Sequence, residues 1–198
     1  SDAGGVRLNI NSAHEVRSVY RQLVDEVQSK VPDATISGVT IEKMYRSSNG
    51  RELMIGIIRD PVFGPVISFG GGGTTVEIMG DSAISLPPLN HRLATDLINQ
   101  TRVSKMLGDF RNMPAIDMEM LVDVLLSVSG IACELPWVQE MDINPLIVDD
   151  QGIVAVDARI MVDYPKRSTD PYNHLAIHPY PTHLVKTAQL NDGTDIVI

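Results

Sequence analysis

Three oxygen-bearing side chains, Asp142, Asn144 and Asp157, have the types and spacing to hold a hard cation. Asp142 and Asn144 are two residues apart, so on an extended strand both leave by one face while Met141 and Ile143 leave by the other. Asp149-Asp150-Gln151-Gly152 supplies turn residues, and 153–156 is a second apolar run. The stretch 140–157 therefore reads as a hairpin ending at Asp157. If the loop has two or four residues centred between Asp150 and Gln151, facing residues have numbers that sum to 301, and Asn144 faces Asp157. Their Cβ atoms would then lie about 5 Å apart, close enough to share one cation. A three-residue loop or a bulge at Gly152 shifts the register by one and undoes that pairing. The bland alternative is an acidic hairpin tip whose carboxylates are merely solvated.

A second stretch has the means to bind phosphate. Residues 70–73 are four consecutive glycines followed by Thr74, and backbone N–H groups with no side chains in the way can cradle an anion. No Lys-Ser/Thr follows, as a P-loop requires, and no dinucleotide fingerprint is present. A flexible connector explains four glycines equally well.

The elements that must position these groups are read from periodicity and punctuation. Residues 6–10 alternate as a short strand. Ser12-Ala13-His14-Glu15 is a capping box, and Val16, Val19, Tyr20, Leu23, Val24 and Val27 continue at helical spacing to about Lys30. Residues 36–45 and 52–59 are rich in Val and Ile and flank Ser47-Ser48-Asn49-Gly50, which predicts an antiparallel hairpin between them. Residues 66–69 form a short buried strand before the glycines. Asn90 caps a helix of about ten residues, and a further helix begins near Pro114, with Ile116, Met120, Leu121, Val124, Leu125 and Val128 on one face. Leu135-Pro136 ends it. After Tyr164 the prolines 165, 171, 179 and 181 interrupt any regular element, so 164–198 reads as a Pro- and His-containing linker behind a lobe of residues 1–163.

Composition excludes more than it names. The chain has 198 residues, 43% of them hydrophobic and 21% charged, a soluble globular balance. A net charge of −9 with 5% aromatics argues against a nucleic-acid-binding surface. No apolar run approaches the roughly 20 residues that span a bilayer, so no membrane partner is expected. The single cysteine, Cys133, rules out an internal disulfide framework and fits a cytoplasmic setting.

D-I-N-P-L at 142–146 followed by V-D-A-R at 156–159 resembles the magnesium-binding end of the ATP-grasp fold, in the version used by ADP-forming acyl-CoA synthetases. D-P-V-F-G-P-V-I-S-F-G-G-G-G at 60–73 with V-E-x-x-x-D at 76–81, and I-E-K-M-Y at 41–45 with G-R-E at 50–52, resemble the same family. The resemblance implies an α+β fold, the C-terminal lobe of an ATP-grasp domain with a mainly antiparallel sheet and flanking helices, joined by an N-terminal lobe upstream of Ser1. It implies Mg²⁺ on Asp142, Asn144 and Asp157. It implies ATP or ADP along Glu42, the backbone of Lys43 and Met44, and Glu52, with Gly71, Gly72, Gly73 and Glu77 at the phosphate.

H-L-A-I-H-P-Y-P at 174–181 and D-G-T-D-I-V-I at 192–198 resemble a junction leading into a GNAT acetyltransferase domain. The reading placed first is therefore the Mg²⁺-ATP- or ADP-binding part of an ADP-forming acetyl-CoA synthetase-like region in a larger protein lysine acetyltransferase. Its partners would be CoA-binding and acetyltransferase domains of the same polypeptide. The alternatives are part of an active ADP-forming acyl-CoA ligase, which passes phosphate through a histidine on another domain, and a structural or dimerisation lobe without nucleotide.

Overall fold

A computed structural model describes residues 4–73, 80–109, 113–163, 172–178, 186–190 and 195–197. The chain divides into two compact units, Ser1–Arg46 and Ser47–Ile198. In the first, helix α1 spans Ala13–Lys30. The Ser12 Oγ accepts from the Glu15 N–H at 3.1 Å. The return arm of the box lands one residue early, Glu15 Oε2 accepting from the Asn11 N–H at 2.9 Å.

The strands expected at 6–10 and 36–45 do not form, and both stretches lack regular secondary structure. The expected partner of 36–45 explains this. Strand β1 (Arg51–Asp60) is already paired on both edges, with β2 (Gly64–Gly71) on one side and β4 (Val138–Val148) on the other. An apolar, β-branched run has nothing to hydrogen-bond once its partner's edges are filled.

The second unit is built on an antiparallel sheet in the order β3-β2-β1-β4-β5. Here β3 is Ser82–Ser85 and β5 is Ile153–Ala155, and β6 (Ala158–Val162) also pairs with β4. Alternation along β1 explains its two faces: Leu53, Ile55 and Ile57 are fully buried, whereas Glu52 and Ile58 are exposed. Ile67 and Phe69 of β2, and Met141, Leu146 and Val148 of β4, join the same buried face. Helices α2 (His91–Asn99) and α3 (Met118–Glu134) cover it with Ala94, Leu97, Ile98, Leu121, Leu125 and Val128. Each such Leu or Ile contributes about 1.5–3 kcal/mol on burial, so this face holds the sheet flat against the helices. The opposite face carries the candidate site.

Asn90 caps α2 as expected, its Oδ1 accepting from Leu93 N–H at 2.9 Å. Helix α3 starts later than Pro114. Its cap is Asp117, which accepts from Met120 N–H at 3.1 Å, and Pro114 lies in the preceding connection. That connection is held by Arg51, only 4% exposed, whose guanidinium donates to the carbonyls of Asn49, Met106, Gly108 and Pro114 at 2.7–3.2 Å.

Beyond Tyr164 the prolines at 165, 171, 179 and 181 lie outside the described residues, and the described ones include local anchors. Leu175 is 5% exposed, His174 Nε2 lies 3.1 Å from the Ala132 carbonyl in the last turn of α3, and β7 (Thr187–Gln189) pairs with β8 (Asp195–Val197). An imidazole there satisfies a carbonyl that the helix itself cannot. Gly64, at φ +71°, lets the His174 carbonyl approach where a Cβ would collide.

Candidate functional site

The hairpin 140–161 keeps a single register through most of its length. Pairs Ile147–Val154, Leu146–Ala155, Ile143–Ala158, Asp142–Arg159 and Met141–Ile160 all sum to 301. Between the paired stretches, Asn144 N–H donates to the Asp157 carbonyl at 3.1 Å and Val156 N–H to the Pro145 carbonyl at 3.0 Å. Asn144 and Asp157 are therefore directly opposed. The turn has four residues, 149–152, one of the two lengths that preserve this register. Asp149, 5% exposed, is its keeper: Oδ1 accepts from Gln151 and Gly152 N–H at 2.8 and 3.0 Å, and Oδ2 accepts from Ser47 Oγ at 2.6 Å.

The glycine run reaches the same place from the other side of β1. Gly71 N–H donates to the Asp81 carbonyl at 3.1 Å and Gly72 N–H to the Glu52 carbonyl at 2.7 Å. Gly73 N–H then donates to Asn144 Oδ1 at 2.9 Å. Gly73 has φ +72°, and a Cβ on it would collide with Glu52 Oε2, so the Glu52 carboxylate lies directly over Gly73. Cβ atoms on Gly70 and Gly72 would strike the backbone of Asp81 and Leu53. These glycines are therefore required by close approach, and not by flexibility alone. Asp81 fixes the far end of the loop, its carboxylate accepting from Arg102 and Val103 N–H at 2.6 and 2.7 Å.

The electrostatics favour a cation. Burial pushes the Asp142 carboxyl above its ordinary range, the charges of Glu140 and Asp157 push it further, and Arg159 pulls back. A divalent ion beside Asp142 and Asp157 would relieve that repulsion. The donors are two carboxylates and an amide oxygen, all hard, which suits Mg²⁺, Ca²⁺ or Mn²⁺ and none of the soft metals. Among the described residues no cluster of three His, Cys, Asp or Glu forms a metal cage.

The structure thus brings together Glu52, Gly71, Gly72, Gly73, Asn144 and Asp157, with Asp142 beside them. Glu42 and Met44 lie in the other unit, both exposed. Glu77 lies outside the described residues. Sequence reasoning gave no role to Asp81 or Arg51, because each acts on backbone groups of distant segments, and it read Asp149 only as a turn residue, missing its bond to Ser47 Oγ. Asp81 left a trace as the last residue of V-E-x-x-x-D, and Arg51 as the middle of G-R-E.

Residues 1–162 match the ATP-grasp domain family, and the chain belongs to it. It is 37% identical over 162 residues to the β subunit of ADP-forming acetate–CoA ligase I from Pyrococcus furiosus, covering 82% of this chain and 69% of that subunit. It is 35% identical over 162 residues to ADP-forming acetate–CoA ligase I from Archaeoglobus fulgidus, of which it spans 23%. The fold superposes with a TM-score of 0.76, at 39% identity, on the dinucleotide-forming acetyl-coenzyme A synthetase 1 of Ca. Korarchaeum cryptofilum in complex with coenzyme A, Ca-AMPCP and HgCl⁺; the match covers 82% of this chain and 70% of that one. Another structure of that synthetase, at TM-score 0.67 and 34% identity over 82% of this chain and 70% of that one, holds coenzyme A and Mg-AMPPCP, with its phosphohistidine segment pointing towards the nucleotide binding site. No helix among the described residues is long and apolar enough to cross a membrane.

Proposed function

We propose that this chain is the nucleotide-holding part of an ADP-forming acyl-CoA ligase, binding Mg²⁺ with ATP or ADP on the face that carries Glu52, Gly73 and Asn144. The observation that carries this is the hydrogen bond from Gly73 N–H to Asn144 Oδ1 beneath Glu52. It draws residues from three separate segments of an ATP-grasp sheet into one place. The ligase reading rests on relatives that are ADP-forming acetate–CoA ligases, and it displaces the acetyltransferase fusion from first place. That second reading keeps one support, the strings at 174–181 and 192–198 beyond the family match at 1–162. In either case residues 1–163 form the lobe and 164–198 lead away from it, the first part docked through His174 and Leu175.

In the proposed site Asp142, Asn144 and Asp157 hold the cation, which when bound would neutralise charge on a phosphoryl group in transfer. Glu52 faces the ribose side. The phosphate end falls to Glu77 and to Gly71, Gly72 and Gly73, which border it without side chains while their N–H groups stay bonded to the Asp81 and Glu52 carbonyls and Asn144 Oδ1. Water-proton relaxation in a Mn²⁺ titration tests the metal ligands without requiring turnover. Asp157→Ala and Asn144→Ala should each weaken Mn²⁺ binding at least tenfold, while the far-UV spectrum is unchanged. Wild-type affinity in both variants would overturn the assignment.

A further inference from the structure

Strand β6 is paired with β4 on one side only, and among the described residues nothing pairs with its outer edge. All five of its residues are exposed, with Ile160, Met161 and Val162 at 56%, 61% and 49%. Its sequence, A-R-I-M-V, contains none of the lysines, prolines or glycines with which sheet proteins blunt an open edge.

The direction of its backbone groups is set at both ends. The Asp157 carbonyl accepts from Asn144 N–H, and Asp163 N–H donates to the Trp137 carbonyl at 2.8 Å, so odd-numbered residues turn their backbone groups towards β4. Ile160 and Val162 turn theirs outward.

We propose that this edge pairs with the same edge of a second copy, antiparallel, about a two-fold axis at Met161. In that register Ile160 exchanges hydrogen bonds with Val162 of the other copy, and Arg159 stands opposite its Asp163. The two registers displaced by two residues are worse: one sets Asp163 against Asp157, the other sets Met161 against Asp163. Only the central register satisfies the outward backbone groups and both charges, and the two-fold makes it self-complementary. Five residues a side make a small interface, so the dimer is weak and in exchange with monomer.

The test exploits the axis. Met161 would face its own counterpart as a non-hydrogen-bonded pair with Cα atoms about 4.5 Å apart, inside the range a disulfide spans. Met161→Cys should form a covalent dimer under mild oxidation. Ile160→Cys, which faces Val162 and not itself, should not. The native thiol, Cys133, is buried and does not compete. In sedimentation velocity over a dilution series, Arg159→Asp should raise the dissociation constant about tenfold, and Arg159→Asp combined with Asp163→Arg should restore it. A wild-type chain that stays monomeric throughout, or a dimer that Ile160→Cys traps as readily as Met161→Cys, would overturn the proposal.

Discussion

Gly73 and Asn144, 71 residues apart in sequence, are joined by a 2.9 Å hydrogen bond from the glycine N–H to the amide oxygen. The bond ties the end of the glycine run to the hairpin that carries the acidic residues. The positive φ at position 73 favours glycine, and a side chain there would have to displace the Glu52 carboxylate.

Gly73→Ala should therefore destabilise the chain by about 1–3 kcal/mol in chemical denaturation, because alanine pays for both the left-handed backbone and the displaced carboxylate. Pairing it with Glu52→Ala should recover the steric part and leave the backbone part. A double variant no more stable than the single would show that the two residues do not collide.

Within the same run, the glycines should not be equivalent. A Cβ on Gly71 meets nothing nearer than Asp81 Oδ2 at 3.9 Å, whereas Cβ atoms on Gly70 and Gly72 strike backbone. Gly71→Ala should be near neutral in thermal melts, and Gly70→Ala and Gly72→Ala should each cost about 1–3 kcal/mol. Equal losses at all three positions would contradict the close approach described here.

Arg51 donates four hydrogen bonds to backbone carbonyls from two connections, the one before β1 and the one between α2 and α3. Arg51→Met keeps much of the volume but leaves those carbonyls unpaired, at a cost of about 3 kcal/mol or more. Hydrogen exchange should rise first in residues 106–116. A loss confined to β1 would argue against the clamp.

The Asp60 carboxyl is held below its ordinary range by the N–H groups of Phe63 and then Val62, which it accepts at 2.8 and 2.7 Å. A depressed carboxylate adds stability above its unfolded pKa and loses it as pH falls through the folded value. Asp60→Asn should therefore lower the melting temperature at neutral pH and narrow its difference from wild type in acid. The Asp142 shift has the opposite sign: its penalty is absent below the ordinary carboxylate range and complete above the raised value. Without divalent cations, Asp142→Asn should raise the melting temperature at neutral pH. Saturating Mg²⁺ should stabilise wild type and reverse that order, and an order unaffected by Mg²⁺ would remove Asp142 from the cation site.

The hairpin was legible in advance because a period of two and a four-residue turn leave one register that keeps the apolar side buried. The caps of α1 and α2 were legible for a similar reason, since Ser12 and Asn90 act within three residues of themselves. What failed was non-local. Residues 36–45 have strand composition, but pairing depends on which edges of β1 are free. Pro114 resembled a helix start, while the helix obeys Asp117 three residues on. Strand β3, S-A-I-S, carries too short a pattern to be read. The glycines were read as pliable or phosphate-binding, and three-dimensional crowding by Glu52, Leu53 and Asp81 could not be inferred from their order.

The anchoring of Tyr172 to Leu175 bears on where this lobe can be cut. The family match stops at residue 162, and a fragment trimmed there would lose the imidazole that occupies the Ala132 carbonyl and the leucine buried beside it. Gly64 would then keep its positive φ with no His174 carbonyl left to accommodate. Boundaries drawn by homology alone should give a less soluble fragment than one extended past Ile177, because the trimmed piece carries an apolar scar on the end of its sheet.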